Sequence, residues 1–290
     1  MVLPSVSVVI PTYVTTAQDV NYLDIQLDAL AEQDYAGSLE VVVADNGSPV
    51  AMREHILGHR LRARLRLRWV DAAQVRGAAH ARNAGAEAAD GEILLFCDHD
   101  DRVTREWASR LVEFLDTGYD LVSSAVEGRS LNPGAARVAA EIPEPDAFQP
   151  VNAPVPVVVG CSMACRAAVF RKVGGLDVGY PANEDVEFGF RVHRAGFRVG
   201  YLPAALVAYR YRHGFRAGLR QGWARGRGLA RLHADFPGNG LPALRLPVIL
   251  RELSSVALAR KVAGEERGLL LGLLAGQLLG GLRRGTLRFR

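Results

Sequence analysis

A chain of 290 residues that is 49% hydrophobic can bury a large core as one α/β domain, with room for an appended segment. Its 35 basic and 31 acidic residues leave a net charge of +4, and no groove-reading motif accompanies the basic residues, so nucleic acid is set aside as a partner. Three cysteines, Cys97, Cys161 and Cys165, make neither a disulfide framework nor a CxxC zinc pair, and the chain starts on a strand-like segment with no leader before it, so a reducing, cytoplasmic setting is expected.

In chain order, Val6–Ile10 is a short β-rich run that Pro11 is expected to stop, since proline cannot donate to a sheet ladder. Val20–Gln33 carries Leu23, Leu27, Leu30 and Ala31 at helical spacing and reads as an amphipathic helix. Leu39–Asp45 is a second strand that runs into the turn signal Asn46-Gly47-Ser48-Pro49. A short helix over Met52–Leu57, a strand over Leu65–Val70 and an Ala-rich helix over Gly77–Ala89 follow. Thr104–Leu115 reads as a helix with Thr104 as N-cap, and Tyr119–Val126 as a strand. Strand and helix alternating in this way imply a parallel α/β sheet with right-handed crossovers.

The alternation breaks from Glu127 to Val155, a stretch longer than an ordinary connection that reads as a functional loop closing over the site. Beyond it are expected a strand over Val157–Gly160, a helix over Arg166–Val173, a capped helix from Asn183 toward Ala195 and a strand over Arg198–Leu202. Phe215–His233 is a basic helix, and Pro237-Gly238-Asn239-Gly240 marks a hinge before a C-terminal helical segment. Between Arg191 and Arg231 the arginines heavily outnumber the acids, which suggests a phosphate-bearing partner. The apolar run Leu269–Leu279, flanked by Arg267 and Arg283-Arg284, is too short to span a bilayer. It fits an interfacial helix in peripheral membrane contact, a helix packed on the domain, or a homo-oligomer contact.

The sequence is organised around Glu92–Asp101, an apolar run of strand length that ends in Asp98, Asp100 and Asp101 with His99 between them. In a parallel sheet, ligands bind at the carboxyl ends of the strands. Carboxylates this close repel, and a divalent cation with a taste for oxygen ligands, Mn2+ or Mg2+, relieves the repulsion. A solvated turn or helix cap is the alternative on local sequence alone. Pro11-Thr12-Tyr13 and Asp45-Asn46-Gly47-Ser48 end two other strands, and Arg82 and Asn83 lie on the helix before the central one. Together they suggest a nucleotide pocket: Tyr13 can stack on a base, Asp45 can accept from a base imide or ribose hydroxyl, and Arg82 can donate to a base carbonyl.

Val8-Val9-Ile10-Pro11-Thr12-Tyr13, Val42–Ser48, Ala81-Arg82-Asn83-Ala84-Gly85, Phe96–Asp101 and Asn183-Glu184-Asp185 occur in the order found in family 2 inverting glycosyltransferases, which this sequence resembles over about residues 5–235. The resemblance implies the GT-A fold, a Rossmann-like, mostly parallel sheet flanked by helices, here with a C-terminal helical extension. It divides the chain into a nucleotide-binding half (about 5–126), an acceptor half (about 155–235) and a basic, apolar tail (236–290). It further implies a nucleotide-sugar donor, with UDP- and dTDP-sugars favoured, and a glycan, polyprenyl-linked or small-molecule acceptor. The setting implied is the cytoplasm or the inner face of the membrane. By the same resemblance Pro11, Thr12, Tyr13, Asp45, Arg82 and Asp98 bind the nucleotide, and Asp98 and Asp100 hold the cation. Asp185 is the general base, with Glu184 its acidic neighbour, and Asp101 caps a turn. The family often completes the metal shell with a His whose place here falls near Tyr209, and His213 is the candidate substitute. Gln221-Gly222-Trp223-Ala224-Arg225 has the composition but not the order of a processive-synthase signature, and reads as part of the basic helix. Two other classes stay open: a non-catalytic nucleotide- or glycan-binding partner subunit, and a nucleotidyltransferase, against which the missing Gly-rich phosphate loop speaks.

Overall fold

A computed structural model of the chain describes residues 3–132, 149, 154–258 and 264–289. Its first half alternates as the apolar runs dictate: β1 (Val6–Thr12), α1 (Ala17–Ala31), β2 (Leu39–Asp45), α2 (Met52–Leu57), β3 (Arg68–Asp71), α3 (Ala78–Ala88) and β4 (Ile93–Phe96). There follow β5 (Arg102–Val103), α4 (Trp107–Asp116), β6 (Leu121–Glu127), β7 (Met163–Arg166), α5 (Ala167–Lys172), α6 (Glu184–Arg194) and β8 (Val199–Ala208). Three helices close the described chain: α7 (Phe215–Asp235), α8 (Leu246–Leu258) and α9 (Gly264–Arg284).

The strands form one sheet in the order β3-β2-β1-β4-β7-β6-β8-β5. β3, β2, β1 and β4 are mutually parallel, β7 runs antiparallel between β4 and β6, β6 and β8 are parallel, and β5 is antiparallel to β8. Side chains alternate across the central strands with period two. Val8, Ile10, Val41, Val43 and Leu95 face a core closed by α1, α2 and α4, whereas Val9, Val42, Leu94 and Phe96 face one closed by α3, α5 and α6. Both faces are covered, which is why these strands read as unbroken apolar runs. Gly85 lets α3 lie directly on the sheet, because a Cβ there would overlap Val9 Cγ1 and sit 3.3 Å from Ala44 Cβ.

Several boundaries differ from the sequence reading for identifiable reasons. β1 continues through Pro11 to Thr12. Pro11 faces the β4 side of the ladder, where β4 has already ended opposite Val9, so its missing N–H interrupts nothing. α1 begins at Ala17 because Thr16 and Asp19 form a capping box. Thr104 is not the cap of α4: its N–H donates to the Leu206 carbonyl (2.8 Å), extending β5, and the helix starts at Trp107 behind Glu106. The expected strand over Val157–Gly160 does not form. Its backbone groups go to side chains instead, with Val157 exchanging bonds with the Gln149 amide and Gly160 N donating to Asp185 Oδ2 at 2.7 Å. The pairing strand is β7, a few residues later. Most of the expected 127–155 loop lies outside the described residues.

Among the described residues, no helix is long and apolar enough to cross a membrane. α9 packs instead along α7, parallel to it, at backbone-to-backbone distance. Cβ atoms added at Gly218, Gly222 or Gly226 of α7 would run into the backbone of α9, and Cβ atoms at Gly268, Gly272 or Gly276 would run into that of α7. The chain end folds back so that Arg288 N donates to Leu244 O and Leu246 N to Arg288 O, both at 2.8 Å.

Candidate active site

The carboxyl ends of β1 and β4 open into a cavity of about 1350 Å³ whose far wall is built by the start of α6 and one face of α7. Pro11, Thr12 and Tyr13 line it at the end of β1. Thr12 is buried, with its hydroxyl on the Ile10 carbonyl, while Tyr13 is exposed with the Arg76 guanidinium 5.2 Å from its ring centre. Asp45 is buried behind the wall and is not among the residues that line the cavity. Its Oδ1 accepts from Ser48 N (2.9 Å) and its Oδ2 from Trp69 Nε1 (3.4 Å). The neighbouring Asn46 lines the cavity and fixes its edge, accepting from Gly77 N and donating to the Val75 carbonyl, each at 2.8 Å.

Arg82 is the electrostatic centre. α3 directs it into the cavity, where NH2 donates to Asp98 Oδ1 at 2.7 Å and NH1 to Glu184 Oε1 at 2.8 Å. Its side chain is 5% exposed, so a charged group has been taken out of water and depends on these partners. Burial opposes its charge, but Asp98, Glu184 and Asp185 outweigh burial and hold it protonated. One guanidinium thus fixes the acid at the end of β4 against the acid that starts α6.

Asp98, Asp101 and Cys161 bring their ligand atoms within 4.8 Å of one another. Asp101 accepts from Arg210 N through Oδ1 (2.8 Å), which ties the acidic turn to the chain just after β8 and is a different role from the expected cap of the following turn. Its buried Oδ2 has no partner among the described residues. Burial, and then the charges of Asp100 and Asp98, push the Asp101 carboxyl well above the usual carboxylate range. Burial also raises the Cys161 thiol, with Asp101 and Asp98 adding to it, so the thiol is protonated and a poor ligand for a hard cation. The oxygen donors of this cluster are Asp98 and Asp101, a donor type that suits manganese or magnesium once the buried Asp101 carboxyl gives up its proton, while the expected ligand Asp100 lines the cavity but does not bring its carboxylate into the cluster. His213 is exposed in the turn before α7 and is not among the lining residues, whereas its neighbour Arg212 is. Desolvation of Arg212 is outweighed by the charges of Asp100, Asp98 and Asp101, which hold the guanidinium charged beside the acidic turn.

Across the cavity, Asn183 takes a left-handed conformation (φ 64°) and turns the chain into α6. Its side chain does not cap the helix but donates to the Arg225 carbonyl of α7 at 3.0 Å. Asp185 is held by two backbone donors, Gly160 N at Oδ2 (2.7 Å) and Val186 N at Oδ1 (2.9 Å), and each oxygen keeps a free lone pair toward the cavity. A Cβ at Gly160 would lie 2.9 Å from Asp185 Oδ2, so the glycine leaves the Asp185 carboxylate room to sit where it does. Burial and the adjacent Asp185 raise the pKa of Glu184 against the pull of Arg82.

The sequence reading named Asn46 only within a strand-ending group and missed Gly160 and Cys161, Arg212 beside the acidic turn, and on the far wall Arg220, Arg227 and Arg284. The arginine excess of α7 was a visible signal for that wall, and the i, i+4 glycines of α7 and α9 were one for the packing that brings Arg284 to it. Trp223 stays in the packed part of α7 and does not line the cavity, while Tyr209 does and receives Gln221 Nε2 on its hydroxyl at 3.3 Å.

The model of glycosyl transferase family 2 matches residues 7–174, and that of glycosyl transferase family group 2 matches residues 93–259. A pre-mycofactocin glycosyltransferase of Mycobacterium tuberculosis is 31% identical over 185 residues, which cover 60% of this chain and 38% of the relative. An N-acetylglucosaminyltransferase of Bradyrhizobium diazoefficiens is 27% identical over 243 residues, covering 78% and 49%. The chain therefore spans about half or less of the length of these curated relatives. Among solved structures, a mannosyltransferase of Pyrobaculum calidifontis in complex with GDP-Man and Mn2+ superposes with a TM-score of 0.59 at 22% identity, covering 97% of this chain and 75% of that one. Residues 1–349 of S. aureus TarS in complex with UDP-GlcNAc superpose with a TM-score of 0.57 at 18% identity, covering 99% and 93%. The fold they share is GT-A.

Proposed function

The chain belongs to glycosyl transferase family 2, and on that premise we propose that it transfers a sugar from a nucleotide-sugar donor to an acceptor hydroxyl with inversion at the anomeric carbon. The observation that carries this reading is the Arg82 bridge, which holds Asp98 of the donor side and Glu184 of the acceptor side around one cavity. In this reading residues 5–235 form the transferase domain, its donor half ending near residue 126 and its acceptor half running from about 155. Residues 236–290 are the tail.

Pro11, Thr12 and Tyr13 receive the nucleoside, Tyr13 offering a stacking face and Arg76 a charge above it. Asp45 acts through the turn it holds, by its bond to Ser48 N, and Arg82 orients Asp98 toward the ribose. Asp98 and Asp100, with Asp101 behind them, would hold a divalent cation, manganese or magnesium, which when bound supplies positive charge beside the nucleoside diphosphate. Arg212 adds a fixed charge at the same end, whereas His213, the candidate substitute ligand, does not line the cavity. Asp185 takes the proton of the acceptor hydroxyl on the face opposite the leaving group. The Gly160 and Val186 N–H groups hold its carboxylate in place at the cavity, and Glu184, clamped by Arg82, is its acidic neighbour. Exposed Leu282 and Phe289, adjacent in sequence to Arg283 and Arg288, support a peripheral contact of the tail with a membrane, at its inner face in a cytoplasmic enzyme.

Thermal unfolding across UDP-, dTDP- and GDP-sugars with manganese tests the reading. A donor present at a hundred times its dissociation constant stabilises by about 2.7 kcal/mol, which is readily seen as a rise in Tm. No shift with any donor would overturn it.

A further inference from the structure

The cavity has a second cationic end that the donor chemistry leaves unused. The donor's diphosphate belongs at the Asp98–Asp101 turn, where Arg212 stands. Midway along α7, Asn183 Nδ2 bonds to Arg225 O, and Gly228 lies so close to the Ala182 carbonyl that no Cβ would fit, so this turn of the helix abuts the segment leading into Glu184 and Asp185. Arg227 projects from this turn and lines the cavity, as does Arg220 two turns earlier on the same helix. α9 crosses here: a Cβ at Gly280 would lie 3.3 Å from Arg227 Cα, and Arg284, one turn beyond Gly280, also lines the cavity. Among the described residues, neither the Arg227 nor the Arg284 guanidinium has a carboxylate partner, whereas Arg231, which is not among the lining residues, is neutralised by Asp177 (2.8 Å) and Asp235 (3.1 Å). The acids nearest this end are engaged, Glu184 by Arg82 and Asp185 by backbone N–H groups.

We propose that Arg227 and Arg284 bind a phosphate carried by the acceptor, and that the C-terminal helix α9 completes this acceptor subsite. The proposal rests on the transferase reading above and names its acceptor class: a hydroxyl compound bearing a phosphate, anchored beyond Asp185 while its hydroxyl faces that residue. Guanidinium groups suit the task, since their planar N–H pairs match phosphate oxygens two at a time. Two of them on separate helices also make the subsite depend on the docking of α9.

The test is calorimetric titration of the full chain with hexyl phosphate, and with hexanol as the uncharged control, both free and saturated with UDP or GDP and manganese. The expected result is binding of hexyl phosphate but not hexanol, retained when the nucleotide site is filled. Arg227→Gln and Arg284→Gln should each weaken it about tenfold, the low end for a charge-assisted hydrogen bond at a partly exposed site. Binding that vanishes once nucleotide is bound would assign the arginines to the donor diphosphate and overturn the proposal. Binding indifferent to both substitutions would also overturn it. The nucleotide affinity of the same preparations reads the donor side separately, so its loss in the unsubstituted protein would count against the transferase reading and not against the phosphate subsite. A second arm uses phosphatidylcholine vesicles with and without phosphatidic acid. Hexyl phosphate binding joined by arginine-dependent binding of the phosphatidic acid vesicles assigns the phosphate to a lipid, and hexyl phosphate binding alone assigns it to a soluble acceptor. Vesicle binding without hexyl phosphate binding overturns the cavity subsite.

Discussion

Gly272→Ala should loosen the C-terminal helix from the transferase domain. The added Cβ would overlap the Leu219 carbonyl and lie 2.8 Å from Trp223 N, and both are backbone atoms of α7 that cannot rotate away. Overpacking of this kind costs about 1–3 kcal/mol, and rigid backbone on both sides puts this case near 3. Alanine returns about 1 kcal/mol through its better helix propensity, leaving a net loss of about 2 kcal/mol. Hydrogen exchange of the α9 amides reads this directly, and about 2 kcal/mol corresponds to roughly 30-fold faster opening of the docked helix. Gly281→Ala is the comparison: its Cβ meets side-chain atoms alone, those of Leu287 at 2.8 Å and Thr286 Oγ1 at 3.4 Å, which can move. Gly281→Ala should therefore leave α9 protection within a few fold. Unchanged or slower exchange of α9 in Gly272→Ala would refute the close-packing argument, and with it the claim that this interface brings Arg284 to the cavity.

Asp100→Ala should abolish turnover and most manganese-dependent nucleotide binding while the fold survives; a folded variant with full manganese-stimulated activity would refute its role as ligand. Gly160→Ala should displace Asp185, whose Oδ2 lies 2.9 Å from the added Cβ, and lower the transfer rate with little change in donor affinity, measured side by side. Glu40 is buried and accepts from Ser7 Oγ (2.6 Å) and Asp90 N (2.7 Å). Burial acts upward, but these bonds and Arg68 hold its carboxyl below the ordinary value of 4.5. A depressed folded pKa stabilises fully above 4.5 and is lost as pH falls through the folded value. The stability difference between wild type and Glu40→Ala in urea should therefore be about 3 kcal/mol at neutral pH and shrink below 4.5, and a difference that does not change with pH would contradict the assignment.

The parallel half of the sheet was legible because a strand buried on both faces leaves an unbroken apolar run, and the polar residues that end such runs in a parallel sheet must emerge at one edge. Thr12 and Asp98 meet there, as their positions in sequence imply. Tertiary proximity was not legible. Cys161 reaches Asp98 and Asp101 only because β7 inserts antiparallel between β4 and β6, and Met163–Arg166 is too short to announce itself as a strand. Val157–Gly160 has strand composition but spends its backbone groups on Gln149 and Asp185. Asp45 looked like a cavity residue by its place at a strand end, yet Trp69 and Ser48 draw its carboxylate into the wall. For Arg284 the signal was indirect, the i, i+4 glycines of α7 and α9 that let the two helices pack, and no charge pattern of its own marks it as a cavity residue.

The central claim is that one cavity holds a donor on the Asp98 side and a general base on the Asp185 side. Asp185→Asn separates the two, since asparagine keeps the shape of the side chain and can still accept from Gly160 N but cannot take a proton. Donor affinity and transfer rate should be measured on one preparation. The expected result is near-unchanged affinity with a rate lower by roughly 10²- to 10⁴-fold, the loss of a general base. Transfer within a few fold of wild type would contradict the claim, and would leave Asp185 as a helix-start carboxylate with Glu184 next in line as the base.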